Sequence, residues 1–243
     1  MERLDDILGY GLKIYQRREW FSFSLDSVLL ANFCKIRVGT NNILDLGTGN
    51  AIIPLILSLR TKASIFGVDI QNDMINLAQK SVLYNHLEKQ IKLECCDMKD
   101  LLTRKDIYNT YDLILSNPPY FCDYEHSTKN DNIHKTIARH EVKIKLDDIL
   151  LIGNKLLKDG GVFSMIHRTN RFMDVIDCFR KYKIEPKIIK FIYKNYNSPA
   201  DMFYIEGIKK GKSGLMVTEP YILYNCDGSM SEQYSKLIKE VIL

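Results

Sequence analysis

The sequence has no long hydrophobic run and no other mark of a membrane or secreted protein. None of its apolar segments approaches the ~20 residues that a membrane-spanning helix needs. The first residues, MERLDDILGYGLKIYQ, mix both signs of charge and lack the apolar centre of a signal peptide. These absences predict a cytoplasmic protein with no membrane partner. With 243 residues, 46% of them hydrophobic, the chain can form one substantial domain.

Cysteine is present, but not in a pattern typical of a metal site or a disulfide framework. No two cysteines form a C-x-x-C pair, and the one adjacent pair is poorly spaced for ligating an ion. The six are Cys34, Cys95, Cys96, Cys122, Cys178 and Cys226. The histidines show no ligand spacing either. We therefore expect reduced thiols and no metal ion.

The net charge of +4 is small, but the positive charge is unevenly distributed. Residues 165–215 contain eleven Lys or Arg against five Asp or Glu. Such a local excess fits an anionic partner for the C-terminal third of the chain, and it equally fits a solvated surface. Charge alone leaves both interpretations open.

Apolar segments with strand and helix spacing alternate along the chain after residue 41. Strands are predicted at residues 42–46, 64–69, 91–94, 111–115 and 162–166. Helices are predicted at residues 51–59, 72–84, 146–157 and 170–182. Regular alternation of this kind is typical of parallel βαβ units with helices on both faces of one sheet.

The C-terminal part changes character, because its predicted strands are not separated by helices. These strands are at residues 187–193, 202–208 and 221–224, and short connections favour antiparallel pairing. The predicted fold class is therefore α/β: a doubly wound, Rossmann-like fold with a mostly parallel seven-stranded sheet and antiparallel C-terminal strands. We expect residues 1–40 to pack as a cap segment on a core of residues 41–243, with Ser24 capping a helix.

A glycine-containing loop follows the first predicted strand, in the stretch Asp45-Leu46-Gly47-Thr48-Gly49-Asn50. Two glycines there permit tight backbone turns and a close approach of a ligand. The G-x-G-x-x-G signature of dinucleotide sites is not met, because position 52 is Ile. Asp45 beside this loop suits a cationic ligand better than a pyrophosphate. A nicotinamide-dependent oxidoreductase is therefore the weaker interpretation.

Two further acidic residues follow the next two predicted strands. Asp69 lies 20 residues beyond Gly49, where a carboxylate can accept hydrogen bonds from both ribose hydroxyls. Asp97 follows the third strand and is placed to accept a hydrogen bond from an adenine amine. Ile70 and Met98 supply apolar surface beside these acids. The carboxyl ends of parallel strands form one edge, so we predict a nucleoside-binding site there.

The fourth predicted strand ends in Ser116-Asn117-Pro118-Pro119-Tyr120. Two prolines fix φ near −65° and remove two backbone donors, which makes the turn stiff and unable to join a sheet. A loop that merely ends a strand is the simpler interpretation of such a turn. Its position at the same edge as the glycine loop instead predicts that it lines the ligand site.

These motifs together resemble the class I methyltransferases that use S-adenosyl-L-methionine. The stretch ILDLGTGNAIIPL resembles their cofactor-binding loop, and GVDI and ECCDMKD resemble their ribose and adenine contacts. The resemblance implies a class I methyltransferase fold and the cofactor S-adenosyl-L-methionine. The cofactor-binding residues that it implies, with the N-terminal Asp26 included, are Asp26, Asp45, Gly47, Thr48, Gly49, Asn50, Asp69, Ile70, Asp97, Met98 and Asn117.

The turn SNPPY is similar to the N-P-P-Y signature of methyltransferases that act on planar amines. In such a site the Asn117 side-chain oxygen and the Pro118 carbonyl each accept one N–H of the amine, and Tyr120 stacks on the target ring. The prolines set the direction of the carbonyl groups. The catalytic residues that the resemblance implies are Asn117, Pro118, Pro119 and Tyr120.

Four longer stretches narrow the resemblance to one family. FSFSLDSVLLANF, TIARHEVKIKLDDIL, MIHRTNRFMDVI and NSPADMFYIEGIKKG resemble the bacterial family that methylates the N6 amine of adenine-37 in valine tRNA. The implied partner is the anticodon stem-loop of a tRNA, and we favour a monomer. Two alternatives remain open: methylation of an adenine or guanine in ribosomal RNA, and methylation of a glutamine side chain in a protein.

Basic residues near the site and in the C-terminal third are the predicted contacts with RNA phosphates. Three of them lie in the polar stretch 123–139, which we interpret as a flap beside the pocket. The predicted RNA-binding residues are Lys129, Lys135, Arg139, Arg168, Arg171, Arg180, Lys181, Lys183, Lys187, Lys190 and Lys194.

Overall fold

The structure, a computed structural model, describes residues 2–7, 9–17, 24–119 and 145–239. Its strands are β1 Glu2–Asp6, β2 Lys13–Arg17, β3 Asn42–Leu46, β4 Ser64–Asp69, β5 Ile91–Cys95, β6 Tyr111–Ser116, β7 Leu157–Arg168, β8 Ile184–Tyr193, β9 Ala200–Lys209, β10 Met216–Val217 and β11 Tyr221–Ile222. Its α-helices are α1 Leu25–Phe33, α2 Ile52–Arg60, α3 Asn72–Tyr84, α4 Leu146–Leu156, α5 Phe172–Lys181 and α6 Glu232–Lys239.

One large sheet organises the molecule, with the strand order β10-β8-β9-β7-β6-β3-β4-β5. The five strands β7, β6, β3, β4 and β5 are parallel, and β9 is antiparallel to both β7 and β8. The prediction of a doubly wound, mostly parallel sheet with antiparallel pairing in its C-terminal part is confirmed, but the sheet has nine strands rather than seven, because β10 and β11 add to its edge.

The last two strands differ from the prediction, because β10 and β11 pair with β8 in parallel. After β9 the chain reverses direction and passes to the outer side of β8, so both short strands run the same way as β8. The residue pattern indicated strands here, but it carried no information about which neighbour they would choose. The prediction of antiparallel pairing for residues 221–224 is wrong.

Helices cover both faces of the sheet, as the alternating pattern predicts. On one face α1 and α2 pack with residues such as Ile14 and Ile43 into one buried cluster. On the other face α4 and α5 pack against strand residues such as Phe163. Both clusters consist largely of branched aliphatic side chains that are excluded from water, and this burial is the main stabilising contribution to the fold.

The N-terminal residues form a β-hairpin that the sequence analysis missed. Strands β1 and β2 pair antiparallel, and β2 lies along α3. The backbone N–H of Tyr15 donates to the Ser81 hydroxyl at 2.9 Å, and that of Lys13 donates to the Asn85 side chain at 3.0 Å. Ser24 caps α1 as predicted, since its hydroxyl accepts from the backbone of Ser27.

The two ends of the parallel strands define two edges that matter for function. The carboxyl edge contains the ends of β3, β4, β5, β6 and β7, and the strand registers bring these ends level with one another. The amino edge, at the opposite end, contains the starts of the same strands and the C-terminal ends of α4 and α5. Among the described helices, none is long and apolar enough to cross a membrane.

Candidate active site

The glycine loop after β3 is held against the neighbouring strand β4. The backbone N–H groups of Gly47 and Thr48 both donate to the Val68 carbonyl at 2.9 Å. Gly47 has φ 77° and Gly49 has φ 55°, both in the left-handed region, where glycine has no steric penalty. Ala51 shares this conformation with φ 66°, and α2 begins directly after it.

Gly67 in β4 is a residue of the site that sequence reasoning missed. A Cβ atom there would lie 2.8 Å from the Thr48 hydroxyl oxygen and 2.8 Å from Leu93 Cδ2. Only a residue without a side chain lets the glycine loop pack this closely on the strand. The signal in the sequence was a glycine within an otherwise apolar strand, which often marks a close backbone approach.

Asp69 at the end of β4 is tied to the glycine loop. Its Oδ2 accepts from the backbone N–H of Gly49 at 2.8 Å, and its Oδ1 accepts from that of Gln71 at 2.9 Å. Burial raises the pKa of this carboxyl, while the N–H donors oppose the rise. Each carboxylate oxygen retains a second lone pair, so Asp69 has the capacity to accept further hydrogen bonds from a diol.

Asp45, at the end of β3 before the loop, is fully buried. Within the described part of the chain neither carboxylate oxygen has a hydrogen-bond partner, and neither does the Thr48 hydroxyl. Burial raises the pKa of Asp45 to about 7; the nearby Thr48 hydroxyl, which does not reach hydrogen-bond geometry, opposes the rise, and the Asp69 carboxylate adds to it. Buried polar atoms without partners are rare, and such groups often mark a functional site.

The third acid lies next along the same edge. Asp97 follows β5, and its Oδ1 accepts from the backbone N–H of Lys99, which caps the short 3₁₀ helix Met98–Thr103. Met98 is buried with its Cε 3.9 Å from the position of a Cβ on Gly47. Ile70 is 49% exposed at the end of β4 and offers an apolar surface between the acids.

The turn that follows β6 and contains Asn117, here called the Asn117 turn, lies beside the glycine loop. In the register of β3 and β6, Leu46 is opposite Ser116, and the Ser116 hydroxyl donates to the Leu46 carbonyl at 3.1 Å. Gly47 directly follows β3, and Asn117 directly follows β6. Pro118 is buried and Pro119 is exposed. Tyr120 lies outside the described residues.

Helix α1 contacts the same asparagine. The Asn117 Nδ2 donates to the Ser27 hydroxyl at 2.9 Å and to the Ser24 hydroxyl at 3.3 Å. Asp26 is buried in the first turn of this helix. The N-terminal segment therefore lies at the carboxyl edge, as expected, but the serines beside Asp26 make the contact with the turn. Sequence reasoning identified Ser24 only as a helix cap and missed Ser27.

The structure separates the predicted RNA-binding residues into groups rather than forming one patch. Arg168 ends β7 at the carboxyl edge and pairs with Asp201. Arg171 lies in the adjoining turn and pairs with Asp174. Lys194 follows β8 and also lies at this edge. Lys129, Lys135 and Arg139 lie outside the described residues.

Other members of the set lie far from the carboxyl edge. Arg180 and Lys181 end α5, and Lys183 lies just before β8 at the amino edge. Ten helical residues at 1.5 Å each place these positions roughly 15 Å from the start of α5. The basic residues before α5 and those at its end are close in sequence, but they lie at opposite edges of the sheet because α5 spans its height.

Several of these cations also have partners within the protein. The Lys181 ammonium pairs with Asp147 of α4. Lys187 donates to the carbonyls of Lys212 and Ser213. Lys190 donates to the Glu219 carbonyl at 3.4 Å and lies 5.6 Å from the centre of the Phe33 ring.

Within the described ranges, no group of three or more His, Cys, Asp or Glu side chains is arranged to hold a metal ion. The described cysteines are free thiols, and Cys34 and Cys178 are buried. Burial raises the pKa of Cys34 to about 11, so this thiol is protonated at neutral pH.

Comparisons with known proteins agree with this fold. A family model described as "Methyltransferase domain" matches residues 39–232. A tRNA1(Val) (adenine(37)-N6)-methyltransferase from Phocaeicola vulgatus is 33% identical over 153 residues, covering 63% of this chain and 62% of that protein. The protein of the same name from Trichodesmium erythraeum is 30% identical over 185 residues, covering 71% and 74%.

The chain thus spans roughly two thirds of the length of the curated relatives that it matches, with some below that share. Among solved structures, a predicted O-methyltransferase from Agrobacterium tumefaciens superposes with a TM-score of 0.70 at 16% identity, covering 88% of this chain and 95% of that one. At this low identity the likeness concerns the fold alone.

Proposed function

Because this chain belongs to the methyltransferase family that includes the tRNA1(Val) (adenine(37)-N6)-methyltransferases, we propose that it methylates the N6 amine of an adenine in tRNA. The donor is S-adenosyl-L-methionine, and the target is adenine-37, next to the anticodon of a valine tRNA. The observation that carries the proposal is the register of β3 and β6, which sets Asn117 directly beside the glycine loop.

The residues at the carboxyl edge fit S-adenosyl-L-methionine. Asp45 and Thr48 have buried polar atoms without partners beneath the loop, and a carboxylate there favours a nearby cation. Asp69 has acceptor capacity for ribose hydroxyls, and Asp97 has it for an adenine amine. Ile70 offers an exposed apolar surface to an adenine ring.

When bound, this cofactor supplies an electrophilic methyl group on a sulfonium. The protein has to hold an aromatic amine in line with that methyl, and the amine is a weak nucleophile because its lone pair is delocalised into the ring. Asn117 presents its amide nitrogen to Ser27 and Ser24, and these two hydrogen bonds hold the amide group with its side-chain oxygen in place. That oxygen accepts one N–H of the adenine amine.

The backbone carbonyl of Pro118 accepts the second N–H, in a direction that the proline rings keep fixed. Two acceptors hold the nitrogen and favour its pyramidal form, in which the lone pair is available for attack. Positioning of this kind replaces a general base, since the proton can leave after the methyl transfer. Adenine-37 reaches the site because a loop base can be extruded from its stack at low cost.

The test is methylation of a transcript of valine tRNA with labelled S-adenosyl-L-methionine, followed by mass spectrometry of the nucleosides. We expect N6-methyladenosine at position 37 and no product when adenine-37 is replaced by guanine. Methylation of a ribosomal RNA fragment and methylation of a glutamine-containing protein are measured in parallel. If either of these substrates is methylated and tRNA is not, the proposal is wrong and the corresponding alternative function replaces it.

A further inference from the structure

A lysine-lined cavity of about 540 Å³ opens at the amino edge, at the opposite end of the sheet from the active site. It is formed where the end of α4, the approach to β6, the start of β8 and the end of β9 meet. The backbone N–H of Asn109 donates to the Lys155 carbonyl at 3.1 Å, and that of Lys210 donates to the Lys183 carbonyl at 2.8 Å. The lysines that line the cavity are Lys155, Lys158, Lys183, Lys209 and Lys210.

The positive charge of this lysine cavity is only partly balanced. Among the described residues Asp159 is the one acid in its lining, and it pairs with Lys210 at 2.7 Å and with Lys209 at 3.7 Å. Lys158 pairs with Asp112 outside the lining. Within the described residues, the ammonium groups of Lys155 and Lys183 have no carboxylate partner.

Lys209 adds a buried charge to the lysine cavity. Its side chain is nearly excluded from water, and the ammonium donates to the Asn109 side-chain oxygen at 2.7 Å and to the Leu157 carbonyl at 2.8 Å. Burial lowers the pKa of this ammonium, and the nearby Lys210 and Lys155 lower it further, while Asp159 opposes the change. Several positive charges around a buried ammonium destabilise the folded state unless an anion compensates their repulsion.

Backbone strain is concentrated at the same cavity. Asn109, Lys183 and Lys210 have φ 57°, 56° and 55°, in the left-handed region that disfavours side chains. A glycine would relieve the strain at Lys183, which follows the end of α5, where glycine is the usual residue. The sequence instead has a lysine at two strained positions that face one cavity. Strained residues of this kind are concentrated at functional sites.

We propose that the lysine cavity binds phosphates of the RNA substrate, as a second contact remote from the active site. Lysine recognises phosphate as a point charge, and backbone phosphates position an RNA without reading its sequence. The part of the lining that the structure describes contains one aromatic residue, Tyr108, whose hydroxyl donates to the Leu102 carbonyl, so the cavity suits a charged group rather than a base. This inference rests on the proposed function, because it requires an RNA substrate.

The distance between the two sites fits a nucleic acid. Helix α4 runs from the carboxyl edge to the amino edge, and its 11 residues correspond to roughly 16 Å. A small anion would occupy one site only, whereas a folded RNA presents phosphates over a longer span. We therefore expect the two sites to contribute to one binding event.

The experiment measures the affinity of the full protein for an unmodified tRNA transcript across a salt series. The variants are Lys183→Gly, which removes the charge and the strain together, and Lys155→Gln, which removes a charge within a regular helix. Two controls match them. His86→Gly relieves the same left-handed strain, φ 57°, away from the cavity, and Lys62→Gln removes an exposed lysine at the amino edge beside β4.

We expect each cavity variant to weaken RNA binding several-fold and to reduce the slope of log affinity against log salt by about 0.7–0.9 for each lost phosphate contact. Lys183→Gly should nonetheless have a Tm at or above that of the wild type, as should His86→Gly, because both relieve strain. The two controls should bind RNA like the wild type. Turnover at saturating RNA should be unchanged in the two control variants.

RNA affinity and salt slope that match the wild type in both cavity variants would overturn the proposal, even if the cavity held inorganic phosphate. If Lys183→Gly lowers the Tm, Lys155→Gln alone decides the outcome. Methylation by the wild type in the same preparation separates this inference from the proposed function. If the wild type methylates tRNA but the variants bind it normally, only the cavity assignment fails; if the wild type binds no RNA, both fail.

Discussion

The side-chain nitrogen of Asn117 donates a hydrogen bond of 2.9 Å to the hydroxyl of Ser27, a residue 90 positions earlier in the chain. The Ser27 backbone in turn donates to Ser24, the cap of α1. The turn that we assign to catalysis is therefore oriented by the N-terminal helix. If the turn acts as proposed, this contact gives the segment before the first parallel strand a role in positioning Asn117 as well as in covering the core.

The first prediction concerns Ser27. Ser27→Ala removes one hydrogen bond to the Asn117 amide, and bonds of this type contribute about 0.5–1.5 kcal/mol, so kcat should fall roughly 2- to 10-fold. The affinity for S-adenosyl-L-methionine, measured by calorimetry, should not change. Ser27→Thr keeps the hydroxyl and should restore most of the activity.

Ser58→Ala is the matched control for Ser27→Ala. Ser58 is a buried serine whose hydroxyl donates to the Leu55 carbonyl within α2, without contact to Asn117. If both serine variants lower kcat equally, the effect comes from weakened helices and the positioning role of Ser27 is wrong.

The second prediction concerns Asn117 itself. Asn117→Ala removes an acceptor for the adenine amine and leaves the glycine loop in place. By analogy with the loss of one oriented hydrogen-bond group in other active sites, kcat should fall about 100-fold or more. Cofactor affinity, measured by equilibrium dialysis, should stay within a few-fold. A large loss of cofactor affinity would instead assign Asn117 to cofactor binding.

The sequence was sufficient to bring the acids of the proposed nucleoside site to one edge of the sheet. Asp45, Asp69 and Asp97 each lie at the end of a short apolar strand, and parallel strands bring such ends to one edge without further information. The Asn117 turn follows from the same rule. Local patterns of this kind depend on residues close in sequence and on one general property of parallel sheets.

Features that depend on three-dimensional contact were not predictable in this way. Strand β1 is mostly exposed and polar, so the N-terminal hairpin gave no strand pattern. The Ser27 contact joins two distant segments. Arg171 and Arg180 are close in sequence but lie toward opposite ends of α5, so the count of basic residues suggested one surface where the structure has two.

The third prediction concerns Asp69. Asp69→Ala removes acceptors for the ribose and also leaves the backbone N–H of Gly49 without its partner. Cofactor affinity should therefore fall by at least tenfold, since hydrogen bonds to a charged group contribute about 1.5–3 kcal/mol. Asp69→Asn keeps one oxygen acceptor and should lose less affinity. Unchanged binding in the alanine variant would mean that the ribose is held elsewhere.

The fourth prediction is a pH dependence caused by Asp45. Burial raises the pKa of this carboxyl from 3.8 to about 7 in the folded protein. Between these values the folded carboxyl is protonated while the unfolded one is ionised, so unfolding releases a proton. Raising the pH through this window therefore favours unfolding, and the loss of stability is complete above about pH 7. Its size is on the order of a few kcal/mol.

Asp45→Asn removes the ionisable group and with it this contribution. Above pH 7 the cofactor-free variant should be more stable than the wild type; the difference in Tm should grow from pH 5 to about pH 7 and then stay constant, as measured by calorimetry. Asp97→Asn, which changes a partly exposed carboxyl at the same edge, is the control. Asp45→Asn should also bind S-adenosyl-L-methionine more weakly than the wild type, because an ionised Asp45 favours the positive sulfonium of the cofactor. A Tm difference that is constant with pH would show that Asp45 is ionised throughout, and that its charge is balanced within the protein before any cofactor binds.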